Sequence, residues 1–220
     1  MKRIKIDFKE NRSIDTHETD STSVLEWLKI WNADHIYFDD ERKYGYGGYT
    51  YDGRWKEIVE QLISLFNLSS KSNLLDLGCA KGFLVNDYNN DDRVGFAEGV
   101  DISIYALIEG IKSNMNGKLI CANFTNLPYS DNKFSFIFCK DSLHNILSKS
   151  EVEQSLREIS RVAEDSWIRV GAYETNEQKK IIDHWATFAS TYMHKEDWLE
   201  LFEKSGYKGS YDWFHPSQNI

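Results

Sequence analysis

The chain has 220 residues, 41% of them hydrophobic and 28% charged, with a formal net charge of −9. That length holds one α/β domain with a substantial core, and the acidic balance disfavours a nucleic-acid partner, which needs a concentrated basic face that only Lys2, Arg3 and Lys5 begin to offer. No apolar run approaches the roughly 20 residues that cross a bilayer, and the N-terminus lacks the apolar stretch of a secretory signal, so a cytoplasmic protein without membrane attachment is expected. Cys79, Cys121 and Cys139 form no CxxC pair, and each lies in or beside an apolar run, which reads as buried free thiols.

Residues 1–22 are polar and charged and read as an N-terminal arm. Residues 23–70 carry two expected helices. Ser23 and Glu26 form a capping-box pattern ahead of Val24, Trp27, Leu28 and Trp31 at helical spacing. Trp55, Ile58, Val59, Leu62, Ile63 and Phe66 make one apolar stripe over 55–66. Between them Tyr44, Tyr46, Tyr49 and Tyr51 interleave with Gly45, Gly47 and Gly48, which suits neither a regular helix nor a strand. Two readings stand for that segment. One is a mobile lid, with Tyr46, Tyr49, Tyr51 and Arg54 as substrate-binding candidates; the other is a packed surface loop whose glycines allow turns.

Residues 71–220 alternate short apolar runs with helical patterns. Strands are expected over 73–79, 94–102, 118–122, 134–140 and 167–172, and helices over 82–88 and from Ser103 through Ile111. Further helices are capped by Ser150 with Glu153 and by Thr175 with Gln178, and the last spans about 195–204. Such alternation implies a doubly wound, mostly parallel sheet with helices on both faces. Ligands then bind at the carboxyl ends of the strands. About 15 residues follow the last helix, room for one strand and a short tail, so a shortened sheet edge is expected, with Tyr211, Trp213 and Phe214 packing on the N-terminal helices.

The strongest motif is Leu74-Leu75-Asp76-Leu77-Gly78-Cys79-Ala80-Lys81-Gly82-Phe83-Leu84. Gly78 permits a sharp turn after a strand and Gly82 a close approach of helix to strand, while Ala80 and Phe83 break the GxGxxG spacing of a dinucleotide site. The segment Asp76-x-Gly78-x-Ala80-x-Gly82 resembles motif I of the class I S-adenosylmethionine-dependent methyltransferases, with Ala80 where that family usually has glycine. The resemblance extends to about residues 70–205 through three further segments. Gly99-Val100-Asp101-Ile102-Ser103 is similar to the end of the family's second strand. Ala122-Asn123-Phe124-Thr125-Asn126-Leu127-Pro128-Tyr129 is similar to its Gly-Asp-Ala-x-x-Leu-Pro-Phe segment, and 136–146 to its fourth strand and following loop.

The resemblance implies S-adenosyl-L-methionine as cofactor. Asp76, Gly78, Cys79, Ala80, Lys81 and Gly82 would surround its amino-acid moiety, Asp101 with Ile102 its ribose, and Asn123 and Phe124 its adenine. Asn123 stands where the family has Asp, and its carbonyl oxygen can accept from the adenine amino group. Lys140 and Arg54 are candidates for an anionic group on cofactor or substrate. The resemblance also implies that the transferred methyl lies near 140–146, which makes His144 and Asp141 candidate bases beside Glu174, His184 and His194; an amine acceptor would need none. No metal-ligand spacing is present. The expected substrate is a small polar metabolite methylated on O or N, a sugar or amino sugar among the candidates. The alternative is a catalytically inactive methyltransferase-like partner subunit, which would expose an apolar patch.

Overall fold

The structure, a computed structural model, describes residues 1–8, 25, 28, 30, 32–185 and 190–216, so the helix expected around 24–31 falls largely outside the described residues. The strands are β1 (Lys2–Arg3), β2 (Leu74–Leu77), β3 (Ala97–Asp101), β4 (Lys118–Cys121), β5 (Phe134–Lys140), β6 (Ala163–Tyr173), β7 (Met193–His194) and β8 (Ser210–Phe214). They form one sheet in the order β1-β8-β6-β5-β2-β3-β4, with β7 attached to β6. Every one of these pairings is parallel. The helices are α1 (His35–Asp39), α2 (Trp55–Phe66), α3 (Phe83–Asn89), α4 (Ile104–Lys112), α5 (Lys149–Val162), α6 (Asn176–Trp185) and α7 (Lys195–Ser205).

Alternation along β5 and β6 divides the core between two faces. Ile137, Cys139, Ile168 and Val170 pack with Leu156 and Ile159 of α5 and Trp198 and Phe202 of α7. Phe136, Phe138 and Trp167 meet Ile58 and Leu62 of α2 and Leu84 and Tyr88 of α3 on the other face. From β2 the chain steps outward to β3 and β4, then returns to the opposite side of β2 as β5. The carboxyl ends of β2 and β5 therefore flank the point where strand order reverses, the crevice in which such sheets bind ligands.

Residues 1–8 of the N-terminal arm pack along the edge of the sheet. Lys2 pairs with Ser210, Ile4 N donates to Tyr211 O at 2.9 Å, and Trp167 Nε1 donates to Ile4 O at 2.8 Å. Ile6 is buried. The alternation Ile4-x-Ile6-x-Phe8 was the signal for an extended segment with one apolar face, overshadowed by the surrounding charge. The expected shortened edge is a single strand, β8, and β1 extends it. Tyr211 and Trp213 pack on Phe202 of α7.

Ser103 caps α4 through Ala106 N, and Thr175 and Gln178 exchange hydrogen bonds at the start of α6, both as expected. The cap of α5 is Ser148 with Glu151, two residues ahead of the expected pair; both pairs have the same spacing. Cys79 and Cys139 are buried, which pushes both thiols well above their ordinary range, whereas Cys121 is exposed. No helix among the described residues is long and apolar enough to cross a membrane.

Candidate active site

The loop from β2 to α3 passes through three left-handed residues, Gly78 (φ 81°), Ala80 (φ 50°) and Gly82 (φ 76°). Gly78 N and Cys79 N both donate to Val100 O, at 2.8 and 3.1 Å, which bends the loop over the neighbouring strand. A Cβ on Gly78 would stand 1.9 Å from Ser142 Oγ, so this position has no room for a side chain. Ala80 adopts the conformation that glycine takes freely, at a cost of about 1–2 kcal/mol.

Two carboxylates converge beneath this loop. Asp101 Oδ2 accepts from Ala80 N and Oδ1 from Ser103 N, each at 2.8 Å. It thus fixes the loop and the start of α4 together, and each oxygen keeps a second lone pair that can accept a further hydrogen bond. Burial raises its pKa against the pull of these backbone N–H groups. Asp76 is buried, and among the described residues no donor reaches its carboxyl group. Burial, then the charge of Asp101, pushes it up to about 8, while Lys140 pulls the other way. A buried acid without a donor fits a site that receives a cation or ammonium from a ligand. The ammonium of the expected cofactor is such a group.

Next to Asp101 the crevice carries apolar side chains. Ile102 is 63% exposed beside buried Asp101, and the half-buried Phe124 reaches within 3.7 Å of the Gly78 Cβ position. Asn123 is exposed at the carboxyl end of β4. Its Oδ1 accepts from Thr125 N and Thr125 Oγ1, each at 3.0 Å, so the carbonyl oxygen expected to meet the adenine amino group is engaged within the loop.

Above β5 and β6 the candidate bases Asp141, His144, Glu174 and His194 each have a partner within the chain. Asp141 receives Lys140 Nζ at 2.8 Å and Arg169 Nε at 2.8 Å, and its own φ is 56°. A carboxylate neutralised by two buried cations is a poor proton acceptor. His144 is buried against Tyr192, and its Nδ1 accepts from Gly171 N at 2.9 Å. That bond fixes the neutral tautomer with its proton on Nε2, which leaves the ring without an open lone pair for catalysis. Glu174 is exposed and held below the usual carboxylate range by Lys195 at 2.9 Å. His194 caps α7 through Glu196 N and approaches Glu174 O at 3.2 Å, and His184 is exposed near the end of α6. Phe8 lies under both cations, 4.9 Å from Lys140 Nζ and 4.4 Å from Arg169 Cζ, and Trp55 lies 5.9 Å from Lys140 Nζ.

The tyrosine-rich segment packs beside the loop of motif I. Phe38 stacks on Tyr46 at 5.7 Å, Tyr49 stacks on Phe83 at 4.8 Å, and Tyr51 Oη donates to Asp87 at 2.5 Å. Arg54 is paired to Asp52. Lys81, a candidate at the cofactor, is buried and its Nζ donates to Asp39 at 2.6 Å. Asp39, Arg169, Ser142 and Phe8 are the members of this region that the sequence left unmarked. Each is remote in sequence from the partner that gives it a role, and only the alternation ending at Phe8 was a usable signal.

A family model described as a methyltransferase domain matches residues 75–166. A search of curated proteins finds no match. Solved structures share the fold. The YcgJ protein of Bacillus subtilis is 16% identical, with a TM-score of 0.55 over 67% of this chain and 66% of that one. A putative methyltransferase solved in complex with the Trm112 methyltransferase activator of Haloferax volcanii is 17% identical, with a TM-score of 0.52 over 70% and 73%. A putative methyltransferase from Bacillus halodurans is 18% identical, with a TM-score of 0.52 over 67% and 68%. The chain thus spans about two thirds of the length of the first of these relatives.

Proposed function

We propose that this chain is a class I S-adenosylmethionine-dependent methyltransferase and that it methylates O or N of a small polar metabolite at the carboxyl ends of β5 and β6. The observation that supports this reading is the packing of Phe8 against Lys140 and Arg169 and of Trp55 against Lys140, which covers these cations with the chain's own rings. A polymer would need an open, basic face. When bound, the cofactor supplies an electrophilic methyl group on a sulfonium centre. Asp76 would hold its ammonium, Asp101 its ribose, and Ile102 and Phe124 would flank its base. The protein aligns the acceptor and keeps water out.

With His144, Asp141 and Glu174 committed as described, the acceptor that fits best is an amine that arrives neutral and needs no protein base. Tyr46, Tyr49 and Tyr51 serve as a cap on the cofactor loop, so a sugar ring is one member of the candidate panel rather than the favoured one. Transfer of labelled methyl from the cofactor to small amines, amino sugars, nucleotide sugars and small acids tests this. Labelling of an amine or amino sugar is expected, and labelling confined to protein or RNA contradicts it.

A second reading has its own observation. Ile104, Ile108 and Ile111 form an exposed aliphatic stripe along α4, continuous with Ile102. A methyltransferase-like subunit docking another chain there would bind the cofactor yet label no small molecule unless that chain is supplied.

A further inference from the structure

We propose that Asn123 turns a hydrogen-bond donor toward the purine of the cofactor, so that the 6-amino group is not read by this side chain. The inference rests on the cofactor site described above. An amide side chain has one acceptor atom, and here Thr125 N and Thr125 Oγ1 both donate to it at 3.0 Å. The backbone N–H can bond only to oxygen, which settles the orientation of the amide. The oxygen is therefore saturated, and no described residue takes the Nδ2 donors of this exposed side chain. An aspartate in the same turn would give one oxygen to residue 125 and keep the second, a charged acceptor, for the 6-amino group.

Asn123 replaces that acceptor with an NH2 group, which opposes an exocyclic amine and suits a ring nitrogen. The base is then held through a ring nitrogen and by the apolar wall of Ile102 and Phe124, neither of which reads the 6-position. A purine lacking the amino group is bound as well as adenine.

The probes are S-adenosylhomocysteine and its 6-deaminated purine-riboside analogue, which keeps the same ring nitrogens. Each is titrated calorimetrically into the full-length wild type and into Asn123→Asp, which retains an acceptor for residue 125 and hence the turn. The wild type is expected to bind the two ligands within about threefold of each other, and N123D to favour the amino form by about tenfold or more, as a charged acceptor implies. The ratio is independent of overall affinity, so the wild-type value decides even where the variant folds poorly. A wild type that favours the amino form by about tenfold, with the ratio unchanged in N123D, overturns the proposal. Failure of both ligands to bind overturns the cofactor site beneath it instead.

Discussion

Lys81 Nζ lies 2.6 Å from each carboxylate oxygen of Asp39, joining the loop of motif I to a residue 42 positions upstream. Asp39 also accepts from Tyr105 Oη at 2.7 Å and from Tyr49 N at 3.2 Å, so one carboxylate ties α1, the tyrosine-rich segment and α4 to the loop between β2 and α3. Burial works to raise its pKa, and the Lys81 and Tyr105 bonds outweigh that and hold it low. The stability it contributes is present above the unfolded carboxylate pKa and is lost as pH falls through the lower folded value. Lys81→Met leaves Asp39 without its charge partner and is expected to cost about 2–3 kcal/mol, between the values for an exposed pair and a fully buried one. Denaturant unfolding of K81M, D39N and the double variant checks this: the double variant should cost less than the sum of the singles.

Asp76 gives a pH dependence of opposite sign. Its folded pKa of about 8 lies above the unfolded value of about 4, so between them the folded chain binds the extra proton and this group's contribution falls as pH rises. Asp76→Asn removes that slope, so its stability relative to wild type should improve steadily from about pH 5 to about pH 8. A ligand ammonium beside Asp76 favours the ionised form, and binding near neutral pH should release a proton in the wild type and none in D76N. Titrations of S-adenosylhomocysteine in buffers of different ionisation enthalpy read this directly, and equal proton release in both proteins would sink the assignment.

Ala80 sits at φ 50°, where a methyl group is strained. Ala80→Gly relieves about 1–2 kcal/mol of strain and gives back about 0.5–1 kcal/mol through the freer unfolded chain, for a small net stabilisation. Thermal unfolding should show a midpoint that is unchanged or raised by a few degrees. A large fall in the midpoint would mean that the Ala80 contact with the cluster around Phe38 and Ala106 outweighs the strain.

His144 is expected to be a structural acceptor. His144→Ala orphans the buried Gly171 N–H, at a cost of about 1–3 kcal/mol, and also removes the ring that stacks on Tyr192. Once folded, the variant should transfer methyl groups with the pH profile of the wild type. A profile that loses a limb near neutral pH would restore His144 as a base.

The parallel core was legible because its elements announce themselves locally. The stripe over 55–66, the Ser103 cap and the run at 134–140 each carry a period or a cap within a few residues. Gly78, Gly82 and Asp101 were legible for the same reason, since a turn after a strand has few chemical solutions. The commitments of Asp141, His144 and Lys81 were not, because Arg169, Gly171 and Asp39 come from elements that only the folded sheet brings near. The polarity of Asn123 lay between these cases: the Asn-x-Thr spacing permits the turn, but only the hydrogen bonds reveal which amide atom it consumes.

The cradle formed by Asp76, Gly78 and Asp101 is tested most directly by titrating S-adenosylhomocysteine into the purified chain and following thermal unfolding of the same samples. One ligand per chain is expected, with a stability gain of about 2.7 kcal/mol when free ligand is about 100 times its Kd. No heat and no shift with this ligand, but both with a nicotinamide dinucleotide, would contradict it.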